Sequence, residues 1–204
     1  VSLPTHKTLY QAEPGTRDLG EKQELALKLV STSKDGIVAE KIFIFRKGSY
    51  LIEVTTRLVN NSSLSISPSA YYQLVRDSQE PSGKTKMVSA FNGIAIFNDT
   101  DKFKKISFSD IDKGKAAYET KKNNGWIGFV QQYFMSAWLP PDNQPQLERE
   151  FYTKKIEEHL YAAGVFLPML PAGKQLAPGE KVEQSIKFYA GPQEQDVIGS
   201  FAQQ

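Results

Sequence analysis

Two histidines, His6 and His159, are the only imidazoles in the chain, and either would need partners to act as a general base or a metal ligand. His6 stands on an irregular N-terminal stretch and His159 in a run that reads as a strand. Neither has a partner at a ligand spacing, so surface or half-buried imidazoles are expected. Asp99 with Asp101, and Asp110 with Asp112, look like pieces of a calcium loop, but the full ligand ladder closing in a glutamate is missing. Solvated turns are the better account. Two carboxylates for glycoside hydrolysis could be drawn from the 23 acidic residues, yet no pair is singled out. The absence of cysteine removes disulfides, thiolate metal sites and thiol nucleophiles. No G-x-S-x-G elbow, P-loop or G-x-G-x-x-G occurs. The residues therefore predict no catalytic, metal or cofactor-binding set, and no cofactor.

The frame that would hold such groups is a globular one. The 204 residues are 40% hydrophobic and 24% charged, with 25 Lys plus Arg against 23 Asp plus Glu, a net charge of +2. That balance gives no support to nucleic acid as a partner. The only basic-rich zone comprises Lys102, Lys104, Lys105, Lys113, Lys115, Lys121 and Lys122, interleaved with Phe103, Phe108 and Tyr118 and diluted by Asp and Glu. It reads as a solvated rim, with contact to an acidic partner or lipid headgroups as the lesser alternative. No apolar run approaches the length that crosses a bilayer. Asn60-Asn61-Ser62, Asn61-Ser62-Ser63 and Asn98-Asp99-Thr100 fit the glycan-acceptor pattern, which loops meet often by chance.

Short β-rich runs separated by turn clusters fill most of the chain. Leu25, Leu27 and Leu29 alternate with Ala26, Lys28 and Val30, Asp35-Gly36 signals a turn, and Ile42–Phe45 and Tyr50–Val59 read as a hairpin about Arg46–Ser49. Further strands are expected over Ala70–Val75, Gly93–Phe97, Phe103–Phe108, Ala116–Glu119, His159–Phe166 and Val182–Ala190. Turns are expected at Pro81–Gly83, Asn98–Asp101, Lys121–Gly125 and Pro140–Pro145, among others. This pattern predicts a mostly β domain of antiparallel sheets packed as a sandwich over residues 21–192, after an extended arm, 1–20. From Trp126 to Trp138 the apolar residues fall at helical spacing, although a strand buried on both faces would also be apolar throughout. Val197, Ile198 and Phe201 predict a short amphipathic helix over residues 193–204.

The run Gly125-Trp126-Ile127-Gly128-Phe129-Val130-Gln131-Gln132-Tyr133-Phe134-Met135-Ser136-Ala137-Trp138-Leu139-Pro140 strongly resembles the G-W-x-x-x-x-Q-x-Y-F-x-x-A-W-x-P signature of the periplasmic domain in the YidC family of bacterial membrane protein insertases. Phe45-Arg46-Lys47-Gly48-Ser49-Tyr50 looks like the family's F-x-x-x-R-G-x-Y hairpin at a different local length. Phe188–Pro192 looks like its closing strand, and Asn60-Asn61-Ser62 stands at its polar turn. The resemblance runs from about Lys7 to Ile198.

It implies a large antiparallel β-sandwich of the galactose-mutarotase-like type with a short C-terminal helix, and it tips Trp126–Trp138 towards strand. It further implies a non-enzymatic docking and scaffolding domain on the periplasmic side of the bacterial inner membrane. The implied partners are client membrane proteins, the Sec translocon and its SecDF accessory subunits. The first transmembrane helix, early strands and membrane-embedded insertase core of the family are not in these residues, so the chain reads as a piece of a longer protein. Val197, Ile198 and Phe201 would lie on a connector towards that core. Gly125, Trp126, Gln131, Tyr133, Phe134, Ala137, Trp138 and Pro140 are expected to be core residues, since aromatics dominate burial. The rival expectation is a carbohydrate-binding or mutarotase-like sandwich, because a fold is shared more widely than its chemistry.

Overall fold

The computed structural model describes residues 1–79, 91–142 and 147–193. It forms two compact units, Val1–Ala70 with Leu167–Phe188 and Tyr71–Phe166 with Tyr189–Gln204. The expected turn at Pro81–Gly83, the end of that at Pro140–Pro145 and the expected helix with Val197, Ile198 and Phe201 lie outside the described residues.

In the first unit the strands β1 (Gln11–Ala12), β2 (Glu24–Thr32), β3 (Ile37–Arg46) and β4 (Leu51–Asn60) lie side by side, followed by the opening residues of β13 (Lys181–Pro192). The N-terminal arm thus contributes a strand of its own, pairing Gln11 with Val30. Because side chains alternate along a strand, one face of β3 and β4 carries Ile37, Ala39 and Leu58, which pack with Ile66, Met169 and Leu176 into a core. The other face carries an ion ladder across the strands. Lys28 meets Glu13 and Glu40 at 2.9 and 2.8 Å, and Arg57 meets Glu40 and Glu183 at 2.9 and 2.6 Å. The hydrogen bond from Lys28 holds the Glu40 carboxyl below its ordinary value against the opposing effect of burial. Asn60, fully buried, closes the core end: its amide donates to the carbonyls of Leu64 and Leu176, and its oxygen accepts from Ser62.

The second unit is a two-layer sandwich. One layer, β10 (Phe134–Leu139), β9 (Trp126–Val130), β6 (Gly93–Asn98) and β7 (Lys102–Ile106) in spatial order, is antiparallel throughout. The other is β5 (Ser69–Asp77), β12 (Leu160–Pro168), β11 (Arg149–Glu157) and β8 (Lys121–Lys122). Between β7 and β8 a single helical turn, α1 (Phe108–Asp112), starts in a capping box where Ser107 and Asp110 each accept the other's backbone N–H. Its Phe108 ring sits 6.3 Å from Phe129 of β9 and 4.6 Å from Tyr161 of β12, joining the two layers.

Several expectations change. Trp126–Trp138 is a β9–β10 hairpin, as the resemblance implies and not the helix that its spacing favours; β9 is buried on both faces, which puts apolar residues at odd and even positions alike. Ala116–Glu119 is not a strand, since the Glu119 N–H donates to the Asp101 carboxylate at 2.7 Å instead of to a ladder. The ladder residues in this region are Lys121 and Lys122, where a turn was expected. His159 stands outside β12, at a positive φ of 64° in the β11–β12 turn. Phe108 belongs to α1 and not to the end of β7.

Arg149, the first residue of β11, is 1% exposed and fastens two loops. Its guanidinium donates to the carbonyls of Asn123 and Gly125 on one side, and of Pro140 and Pro141 on the other, at 2.8, 2.8, 3.3 and 2.9 Å. Asp142 supplies a carboxylate at 3.0 Å. Burial lowers the pKa of this cation, and Asp142 opposes the shift. Replacing it orphans several carbonyls at once, so Arg149→Ala should cost about 3 kcal/mol. Arg149→Lys should lose much of the same amount, because one ammonium cannot span two loops. Chemical unfolding of both variants tests this; a midpoint unchanged from that of the parent chain would contradict it.

Candidate functional site

The signature segment is built on close backbone approach. At Gly125, with φ of 100°, a Cβ would stand 2.0 Å from the Phe97 carbonyl oxygen, and at Gly128 it would stand 2.1 Å from that of Ser136. Both positions therefore exclude side chains. The room goes to Trp126, which is 2% exposed, stacked on Phe97 at 6.2 Å and edged by Phe103 at 5.8 Å. Ala137 pairs with Gly128 in the ladder and is buried, as is Pro140. Trp138 is half-buried against Tyr72 of β5 at 5.2 Å, and Gln131 is likewise partly covered.

Tyr133 and Phe134 depart from the expected core: they are 67% and 57% exposed. The reason is the hairpin itself. The Gln131 N–H donates to the Phe134 carbonyl at 2.8 Å, which puts Gln132 and Tyr133 at the tip and Phe134 at its base, beyond the cover of the opposite layer. The Gln132 amide donates to the Tyr133 hydroxyl at 2.8 Å, and the Gln193 N–H at the end of β13 donates to the Tyr133 carbonyl, also at 2.8 Å.

The titratable groups are committed to the scaffold. Asp101 accepts from the Glu119 N–H, Asn98 and Lys104; burial alone would raise its carboxyl, but these hydrogen bonds outweigh it and hold the pKa below the ordinary value. Asp112 accepts from Lys155 at 3.0 Å and from the Tyr161 hydroxyl at 2.9 Å, and the Lys155 contact leads in lowering its carboxyl. Asp99 pairs with Asn124, and Asp110 serves the helix cap. The side chain of His159 is 71% exposed and 3.7 Å from Glu158. Among the described residues no group of three His, Asp or Glu side chains could hold a metal ion. Asn60 and Asn98 are buried, so their acceptor tripeptides present no amide to a glycan. Sequence reasoning missed Arg149, which no motif marks. It also missed α1, whose Ser107-x-x-Asp110 capping box was a readable signal.

On the four-stranded layer an aromatic strip faces outward. Tyr152 reaches across Gly164 to donate to the Gln73 side chain at 2.9 Å, and the ring of half-exposed Phe166 lies 4.9 Å from Tyr152 and 6.0 Å from Tyr71.

Comparison with known proteins fits this geometry. The family model of the YidC periplasmic domain matches residues 1–204. Relatives named membrane protein insertase YidC include those of Nitrosospira multiformis, 42% identical over 201 residues, and Dechloromonas aromatica, 43% identical over 202. Each match covers 98% of this chain but only 34% and 36% of the relative, so the chain spans about a third of their length. Among solved structures, a galactose mutarotase related enzyme from Lactobacillus acidophilus has a TM-score of 0.55 at 12% identity, over 89% of this chain and 70% of that one. An alpha-galactosidase from Lactobacillus brevis has a TM-score of 0.53 at 10% identity, over 96% and 28%. At these identities the likeness is one of fold, an antiparallel β-sandwich of the galactose-mutarotase-like type that the resemblance implies.

Two predictions follow from the two kinds of aromatic. Trp126→Ala should cost about 3 to 5 kcal/mol of stability, whereas Phe134→Ser should leave the unfolding midpoint nearly unchanged. Equal losses would show the tip to be core after all. Burial, with Tyr71 adding to it, pushes the Tyr152 phenol up from 10.0 to about 12. Its ionised form is disfavoured only in the folded chain. Its contribution is therefore intact below the unfolded value and is lost as pH rises through about 12. Alkaline unfolding should shift in Tyr152→Phe, and an identical alkaline profile would contradict this.

Proposed function

The chain belongs to the YidC periplasmic domain family, and on that basis we propose that it is a docking and scaffolding module of an insertase, assisting insertion and folding of inner-membrane proteins from the periplasmic side. The observation that carries the reading is the match of the family model over the full 204 residues, together with relatives named as insertases. Its partners in this reading are the client proteins, the Sec translocon and the SecDF subunits. No helix among the described residues is long and apolar enough to cross a membrane.

The rival reading, a sugar-binding or sugar-isomerising sandwich, draws on the fold likeness alone. Against it, His159 is exposed in a turn, and the carboxylates of Asp101, Asp110 and Asp112 are engaged with neighbouring donors. Those groups would have to leave their partners before serving a substrate.

Both readings meet the same pair of experiments. Photoreactive residues placed at Tyr71, Val75 and Phe103 in the full-length insertase should crosslink to Sec components or to arriving clients. Calorimetry of the chain against monosaccharides and oligosaccharides should show no binding isotherm, since a ligand of the native state must stabilise it. Saturable sugar binding with turnover would overturn the scaffold reading.

A further inference from the structure

We propose that the β9–β10 tip, Tyr133 with Phe134, is an interfacial anchor that seats this end of the second unit on a lipid bilayer. The proposal rests on the insertase reading above, which gives the chain a membrane to stand on. Four observations carry it.

The first is exposure of the wrong kind for a soluble turn: tips are ordinarily polar, yet two adjacent aromatics are 67% and 57% exposed here. The second is order. Three hydrogen bonds fix the tip, from the Gln131 N–H to the Phe134 carbonyl, from the Gln132 amide to the Tyr133 hydroxyl and from the Gln193 N–H to the Tyr133 carbonyl, each 2.8 Å. Aromatics presented on a fixed hairpin lose little entropy when they are buried by a second surface.

The third is position. Gln193 is the first residue after β13, so the tip is hydrogen-bonded to the residue next to 194–204, the stretch read from the sequence as a connector towards a membrane core. A connector that starts beside the tip would hold the tip near the bilayer it runs to. The fourth is charge. At the same end of the layer, by the pairing of Ile94 with both Phe129 and Ile106, exposed Lys105 stands over the Phe91 ring at 5.2 Å. A cation on an aromatic at the same end of the layer as two exposed aromatics suits a surface that is anionic outside and apolar beneath. Tyr and Phe are suited to that depth, the phenol at the headgroups and the apolar ring at the acyl boundary. A protein groove would supply the apolar part without requiring the exit nearby.

The chain has no cysteine, so a single engineered thiol reports one place. An environment-sensitive fluorophore is attached to Gln132→Cys at the tip, or to Thr100→Cys in the β6–β7 turn at the opposite end of the layer. Each labelled chain is held through a C-terminal polyhistidine tag on vesicles of phosphatidylcholine and phosphatidylglycerol that contain nickel-chelating lipid and an acyl-chain nitroxide quencher. The tip label should shift to the blue and be quenched, and the label at 100 should not. Adding Tyr133→Ser with Phe134→Ser should remove most of the quenching while circular dichroism and the unfolding midpoint stay as in the parent. An unquenched tip, equal quenching at both sites, or quenching that survives the double substitution would each overturn the anchor. Client insertion is not read in this experiment, so such a failure removes the anchor and leaves the docking reading to its own tests.

Discussion

The double burial of β9 is the constraint on which the rest of the second unit depends. Trp126, Ile127, Gly128, Phe129 and Val130 are all buried, so the strand can expose neither face and its neighbours must be both ladder partners and cover. β6 accepts the same condition with Ile94, Ala95 and Ile96 at zero exposure. Strands this crowded can approach only where Cβ atoms are small or missing. Gly128 therefore faces Ala137, and large rings gather at the end away from the tip, Trp126 on Phe97 and Trp138 on Tyr72. The loops at the Trp126 end then carry carbonyls turned inward, and burial of an unpaired carbonyl is costly. Arg149 meets four of them with one planar group, which is why a charged residue occupies a core position of β11.

The first unit answers the same hydrophobic demand by division. Ile37 and Ala39 of β3 face the core while Glu40 faces an ion ladder, so this part of the sheet has a wet side and a dry side. The ladder charges are substantially solvated, and pairs of that kind contribute modestly to stability. Their use is register: a slip of one residue would bury Glu40 and Arg57 and expose Ile37 and Leu58. Asn60 does the equivalent work at the buried end, where its amide ties β4 to the segments at Leu64 and Leu176.

That contrast explains what could be read from the sequence. β2 and β4 were legible because a half-solvated strand writes alternation into its residues, and Asp35-Gly36 marked the turn between β2 and β3. β9 was not legible by pattern, since a strand covered on both sides writes no alternation, and only the resemblance pointed the right way. β11 escaped because its inward residues include a cation and its outward residues are mostly polar, so Arg149-Glu150-Phe151-Tyr152 reads as surface. The signature was recognised as a block, and a block hides its fold: the turn at Gln131–Phe134 sends the middle of the signature to solvent while its two ends stay buried. Nothing in residue type distinguishes Phe134 from Phe129; their positions in the hairpin do.

The polar interior also bears on what this sandwich can do. A sugar site needs side chains with hydrogen-bonding capacity left over for a ligand, held where solvent can be excluded. Here Asn60 and Arg149 donate to carbonyls of the segments beside them, and Asn98 and Asp101 bond to each other and to nearby backbone N–H groups, at 2.7–3.3 Å. What the described surface offers outward is of the opposite character: Tyr133 and Phe134 at one tip and Phe166 beside Tyr152 on the four-stranded layer. Such groups gain by losing water against another surface and do not need a reacting atom. Tyr133, Phe134 and Phe166 thus present outward the kind of surface that the docking module proposed above would use.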